Sequence, residues 1–340
     1  MTRTLALRDE HWNEIVALLY LPVETAGFVM AGWADGEDEL TLLGRSLGWV
    51  PDEHYAERTG DSLVIRSQGY WPFLRSAALD RAIPIFVHTH PRMGAVPSKR
   101  DDGVDEALRA SALARSGAPF YVSLIVGGTT EKPVFTGRIY DETGFVAPLE
   151  RLRVIGRRLR LLHAQGMPDA EIDAEIYDRQ IRAFGEDGQR LLARLRVGVV
   201  GAGGTGSAVF EQLVRGGVRD ITILDFDDVT DTNVTRIHES GLGDAGQAKV
   251  KVMAAAAERI GLGARVKPIE GRLTSETVAA LCHLDVVFGC TDDEKGRLIL
   301  TRLALTHLIA VFDMAVAVDA HTDGSIRGIT GRVSTLLPGQ

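Results

Sequence analysis

The stretch HTHPRMGAVPSKRDD, residues 88–102, holds His88 and His90 one residue apart, then Ser98, then Asp101 three positions on. Alternate residues of a strand face the same side, so two histidines ending the strand IPIFVH can hold one metal ion. Asp101, in the first turn of a helix opening at Ser98, can return as a third ligand. Two neutral imidazoles and a carboxylate suit zinc, and three protein ligands leave a fourth position for water, as in a catalytic site. Zinc lowers the pKa of bound water towards ~7, but a separate base must manage the protons. Glu24, in VETAGFVMAG on an apolar strand where an unpaired carboxylate is costly, is the candidate. Ser98 can steady the oxyanion formed when a carbonyl is attacked. With only Cys282 and Cys290, the chain has neither a disulfide framework nor a four-cysteine site, so a metal must use nitrogen and oxygen ligands.

This constellation resembles the JAMM (JAB/MPN) metalloprotease family, whose pattern is a distant Glu, then His-x-His, then Ser-x-x-Asp. All five positions are filled, by Glu24, His88, His90, Ser98 and Asp101. The resemblance covers residues 1–147 and implies a zinc peptidase or isopeptidase acting near the C-terminus of ubiquitin-like proteins.

A second constellation begins at GAGGTG. Gly201, Gly203, Gly204 and Gly206 lie between the strand RVGVV and a helix, where glycines permit a tight turn and backbone amides can approach a phosphate. Asp225, ending the next strand, can take ribose hydroxyls, which leaves NAD and ATP both open. DFDDVTDTNVTR then supplies Asn233 and Arg236, and QAKV supplies Lys249 at the head of a helix. Two cations there suit a triphosphate and argue against a nicotinamide oxidoreductase. CTDD ends a strand with Asp292, a candidate magnesium ligand, and YDRQIRAFGEDGQRLL contributes Arg179 and Gln189 upstream.

This series resembles the ThiF/MoeB-type adenylating enzymes, whose fold is shared with ubiquitin-activating enzymes. The matching positions are Arg179, Gln180, the glycine loop, Asp225, Asp227, Asn233, Arg236, Lys249 and Asp292. The resemblance runs from Tyr177 to the chain end. It implies ATP on the glycine loop, Asp225 on the ribose, Arg236 and Lys249 on phosphates, and Asp292 on magnesium. It also implies a homodimer, with Arg179 reaching into the partner's site. Members of the family commonly continue into cysteine pairs that bind structural zinc, and some carry a thioester cysteine. This chain stops at Gln340, where that segment would begin, the pattern of a truncated domain. Cys282 and Cys290 read as small buried hydrophobes, so no thioester transfer is expected within the chain.

These residues need an α/β scaffold in two parts. Residues 1–147 read as mixed α and β, with a helix over Asp9–Leu19, strands over Glu24–Ala31 and Leu40–Gly44, a helix over Trp71–Arg81, and strands IPIFVH and YVSLIVGG flanking the Ser98 helix. Residues 148–176 read as a helical linker with the five arginines of RLRVIGRRLR on a solvated face. DAEIDAEIYDRQIRAF resumes a helix that stops at Gly185. In residues 177–340 the strand, glycine turn, helix and strand are followed by a helix over Gln247–Ile260, the strand ARVKPIEGR, a helix over Ser275–Leu281 and the strand DVVFGC. That alternation predicts a Rossmann-like, mostly parallel sheet with helices on both faces.

Composition bounds the rest. A length of 340 residues favours two domains. The net charge is −8, with 14 basic and 21 acidic groups in residues 1–150 against 24 and 25 beyond, so neither half offers nucleic acid a basic surface. No apolar run reaches the ~20 residues of a membrane span; LALTHLIAVFDMAVAV is interrupted by His307 and Asp313. The N-terminus lacks the features of signal and transit peptides, and a cytoplasmic protein is expected. The expected function is zinc-dependent trimming of a ubiquitin-like or sulfur-carrier β-grasp protein, then its adenylation with Mg-ATP. The alternatives are a zinc peptidase with a non-catalytic nucleotide-binding dimerisation domain, and a non-enzymatic scaffold for a ubiquitin-like protein.

Overall fold

The computed structural model describes residues 2–36, 39–164 and 169–338. The chain divides into two compact units, Met1–Pro168 and Asp169–Gln340.

The first unit runs β1 (Thr2–Arg8), α1 (Asp9–Ala17), β2 (Ala26–Asp35), β3 (Glu39–Trp49), β4 (Tyr55–Arg58), β5 (Leu63–Ile65), α2 (Ser67–Asp80), β6 (Ile83–Pro91) and α3 (Lys99–Ser116). It continues with β7 (Tyr121–Gly128), β8 (Pro133–Asp141), β9 (Gly144–Leu149), β10 (Arg151–Ile155) and β11 (Arg160–His163). Nine strands form one mixed sheet in the order β11-β10-β1-β3-β2-β6-β7-β8-β9, and β4 and β5 pair apart. Every residue of β6 is buried, which explains why IPIFVH is apolar without alternation. Ile83, Ile85 and Val87 join a core with Leu5, Trp12 and Val126 on one face. Phe86 joins Phe28, Leu74 and Leu108 on the other, beneath α2 and α3. His88 and His90 continue the Phe86 face by period two.

The linker expectation is corrected. Within the expected linker, residues 148–149, Arg151–Ile155 and Arg160–His163 are strand rather than helix, and β10 pairs parallel with β1 through Thr4 to Arg8. The run RLRVI suits a strand because Leu152, Val154 and Ile155 are fully buried, and Arg151 and Arg153 are buried with them rather than solvated. Part of the expected linker, residues 165–168, lies outside the described residues. The helix expected from Asp169 starts only at α4 (Asp178–Arg194), after turns in which Asp173 Oδ1 accepts from the amides of Glu175 and Ile176. Gly185 breaks α4 with φ 78°, as a glycine stop allows, and helix then resumes.

The second unit continues β12 (Arg196–Val200), α5 (Gly204–Arg215), β13 (Asp220–Asp225), α6 (Lys249–Ile260), β14 (Arg265–Glu270), β15 (Val286–Gly289), α7 (Glu294–His307), β16 (Ala310–Ala320) and β17 (Ile326–Leu336). Its sheet runs β14-β13-β12-β15-β16-β17, parallel except for the antiparallel pair β16 and β17. From β12 the chain builds outward to β14, then returns to lay β15 on the other side. The crevice at the ends of β12 and β15 is therefore the switch point where doubly wound sheets hold ligands. The helix expected over Ser275–Leu281 is a short 3₁₀ turn, Thr277–Leu281.

Candidate functional site

In the first unit the sheet and α3 bring all five sequence-identified residues to one cavity of about 250 Å³, which also exposes Asp61, Met93 and Arg100. His88 and His90 lie inside β6, and Ser98 caps α3. The Ser98 hydroxyl accepts from the Asp101 amide at 3.2 Å while Asp101 Oδ2 accepts from the Ser98 amide at 2.6 Å, a reciprocal capping box. The cap turns Asp101 back to the sheet. His88 Nε2 lies 3.2 Å from His90 Nε2 and 3.1 Å from Asp101 Oδ1, and His90 Nε2 lies 3.7 Å from Asp101 Oδ2.

These separations test whether zinc fits. Bonds of about 2.0–2.2 Å in a tetrahedron place ligand atoms roughly 3.3–3.6 Å apart, and the three atoms stand at that scale. The donor chemistry agrees. Burial, then the charge of His88, lowers the His90 pKa and favours the neutral ring that a metal needs. Burial pushes Asp101 up, but hydrogen bonds and charge from His88, with the Ser98 bonds, hold its carboxyl well below the usual range. The residues fit zinc.

Glu24 is not in a strand as expected; it lies two residues before β2. The β4–β5 hairpin fixes it, because its amide donates to Thr59 O at 2.7 Å and its carbonyl accepts from Arg58 Nε at 2.8 Å. Arg58 also reaches Thr25 Oγ1 at 2.6 Å, and the Thr25 amide donates to Thr89 Oγ1 at 3.0 Å, which ties Glu24 to β6 between the histidines. The Glu24 side chain is 6% exposed and lies 3.7 Å from His90 Nε2. Burial raises its pKa to about 7, against the opposing pull of His88. A carboxyl poised there can accept and return a proton near neutral pH. Sequence reasoning missed Arg58, Asp61 and Arg100, whose types carry no spacing signal.

In the second unit the glycine loop follows β12 and opens α5. Gly201 has φ 95°, and a side chain there would meet Cys290 O at 2.6 Å; one at Gly206 would fall on the Gly201 carbonyl. Gly203, by contrast, faces open space. Asp225, ending β13, holds this loop rather than standing free: its carboxylate accepts from the Ala202 amide at 2.6 Å and the Asp227 amide at 2.8 Å. Lys249 is buried, not a solvated surface charge, and donates to Asp227 Oδ2 at 2.7 Å with Asp225 Oδ1 at 3.9 Å. Asn233 Oδ1 accepts from the Thr230 amide, so this side chain shapes the turn that brings the Arg236 backbone against Gly204. The Arg236 side chain is exposed, and Asp292 is an exposed carboxylate beyond β15 whose neighbour Asp293 caps α7.

The upstream residues lie apart from this cradle. Gln189 is fully buried, and its Nε2 donates to Gly216 O at 2.9 Å beyond α5. Gln180 Nε2 contacts Arg215 O at 3.4 Å, at the C-terminal end of α5. The glycine loop lies at the other end of that twelve-residue helix, about 16 Å away at 1.5 Å per residue. Exposed Arg179, next to Gln180, therefore sits away from the loop of its own chain.

Comparison with known proteins bears on the second unit. Residues 177–340 match the family model described as the ThiF family. The chain is 38% identical over 124 residues to molybdopterin-synthase adenylyltransferase of Escherichia coli, covering 36% of this chain and 50% of that protein. Adenylyltransferase and sulfurtransferase MOCS3 of Bos taurus is 35% identical over 128 residues, covering 37% and 28%. The E. coli tRNA N6-threonylcarbamoyladenosine dehydratase solved with ATP is 21% identical, with a TM-score of 0.41 over 51% of this chain and 86% of that one. The chain spans about half the length of the first curated relatives it matches. Among the described residues no helix is long and apolar enough to cross a membrane. Over residues 177–340, then, the chain is similar to the ThiF family and to these adenylyltransferases.

Proposed function

We propose that the chain cleaves at, and then activates, the C-terminus of a ubiquitin-like or sulfur-carrier β-grasp protein. The observation that carries the first half is the convergence of His88, His90 and Asp101 with buried Glu24 in one cavity. His88, His90 and Asp101 would hold zinc, which when bound supplies a Lewis acid and a more acidic water. Glu24 takes the water proton and returns it to the leaving amine. Ser98, whose oxygen already accepts a backbone bond, keeps its O–H to donate to the carbonyl oxygen under attack.

The match of residues 177–340 to the ThiF family supports the second half. A substrate carboxylate attacks the α-phosphorus of ATP and pyrophosphate leaves. Asp225 and the loop amides seat the nucleotide, while Arg236, Lys249 and a magnesium at Asp292 offset phosphate charge. Arg179, remote from its own cradle, suits the partner's site in a homodimer.

A second reading keeps the peptidase and makes the nucleotide unit a dimerisation module. The observations favouring it are that Lys249 is already paired with Asp227 and that two oxygens of Asp225 already accept amides. Metal content and ATP–pyrophosphate exchange separate the readings. The proposal expects one zinc per chain, lost in His90→Ala, and exchange that requires the β-grasp protein and is lost in Arg236→Ala. Zinc-dependent cleavage without exchange would favour the second reading, and a chain that takes up no zinc would overturn the peptidase half.

A further inference from the structure

A second group of side chains, outside the metal cavity, grips the helix that delivers Asp101. Across β6, β7 and β8 the register pairs Phe86 with Ser123, Ser123 with Arg138, and Tyr121 with Tyr140. Residues paired directly or two apart share a sheet face, so Tyr121, Arg138 and Tyr140 stand on the face that carries His88 and His90. From α3, Asp105 turns into that face and is 2% exposed. Its carboxylate accepts from Tyr121 Oη at 3.2 Å, from Tyr140 Oη at 3.0 Å and from Arg138 Nη2. Arg138 Nη1 donates to Asp102 Oδ1 at 2.6 Å.

One guanidinium therefore spans two carboxylates three residues apart on α3, directly after Asp101. Its planar fork fixes both bonds together, which a lysine ammonium cannot reproduce. The capping bonds of Asp101 reach only Ser98, within the same helix start, and so cannot hold that helix to the sheet. Resting on the zinc reading above, we propose that Arg138 is a positioning residue for Asp101: it clamps the first turns of α3 so that the Asp101 carboxylate stays at His88 and His90.

The test uses the full chain with Arg138→Lys, which keeps the charge but loses the fork, and Asp102→Ala, which removes only the exposed arm and leaves the buried Arg138–Asp105 pair. Zinc affinity is measured by chelator competition, site geometry by the visible spectrum of the cobalt(II)-loaded chain, and stability by denaturant unfolding of the metal-free chain. Arg138→Lys should bind zinc about 10–100-fold more weakly, the range for partners that orient metal ligands, and shift the cobalt bands. Asp102→Ala should lose affinity in the same direction, with its metal-free unfolding midpoint unchanged. Zinc held as tightly by both variants as by the wild type would overturn the inference while leaving the metal reading intact. A wild type that binds no zinc would overturn both.

Discussion

At the scale of single residues, Glu24 carries the sharpest claim. It is buried beside the histidines, is held by backbone bonds from the β4–β5 hairpin, and has its pKa raised to about 7. Its proposed role is proton transfer, so Glu24→Gln should retain zinc yet cut cleavage by roughly 10²–10⁴-fold; metal content measured beside turnover checks this. The two cysteines make an opposite prediction. Burial pushes the Cys282 thiol up to about 11, and burial, with Asp313 nearby, pushes the Cys290 thiol up to about 12. Both stay protonated at pH 8, so iodoacetamide should modify neither until denaturant is added. Labelling of Cys290 in the native chain would reopen a nucleophilic role. The convergence of His88, His90, Ser98 and Asp101 on one cavity was legible because His-x-His and Ser-x-x-Asp are local patterns set by strand and helix periods. Arg58 and Arg138 were not, because each acts across strands distant in sequence.

Among the elements, the glycine loop separates fold from binding. A methyl at Gly206 would strike the Gly201 carbonyl, whereas one at Gly203 meets only open space. Gly206→Ala should destabilise the second unit by about 1–3 kcal/mol, as overpacking does. Gly203→Ala should leave the unfolding midpoint unchanged, because its φ of −75° and extended ψ suit alanine. If this loop seats a phosphate, Gly203→Ala should still weaken ATP binding, which calorimetry beside thermal unfolding can read. Alternating strands and helices made β12 to β15 readable. The strands β9 to β11 were not, since five arginines in ten residues imitate a solvated helix; the burial of Arg151 and Arg153 appears only once β10 is laid beside β1. The helical reading of Asp169–Tyr177 failed similarly, because Asp173 satisfies backbone amides in a turn.

For the whole molecule, the proposed function assigns the zinc ligands and the nucleotide ligands to separate compact units of one chain. Zinc chelation should therefore abolish cleavage while ATP–pyrophosphate exchange continues with a substrate already ending in a free glycine carboxylate. Loss of both activities on chelation, with magnesium restored, would contradict that assignment. Intact-mass spectrometry of a β-grasp protein bearing a C-terminal extension, incubated with the chain with and without Mg-ATP, reads both proposed activities at once. Trimming followed by adenylation requires loss of the extension in both conditions and an AMP-sized gain on the trimmed protein only with ATP. An AMP gain on the uncut protein, or trimming that persists in His88→Ala, would contradict it.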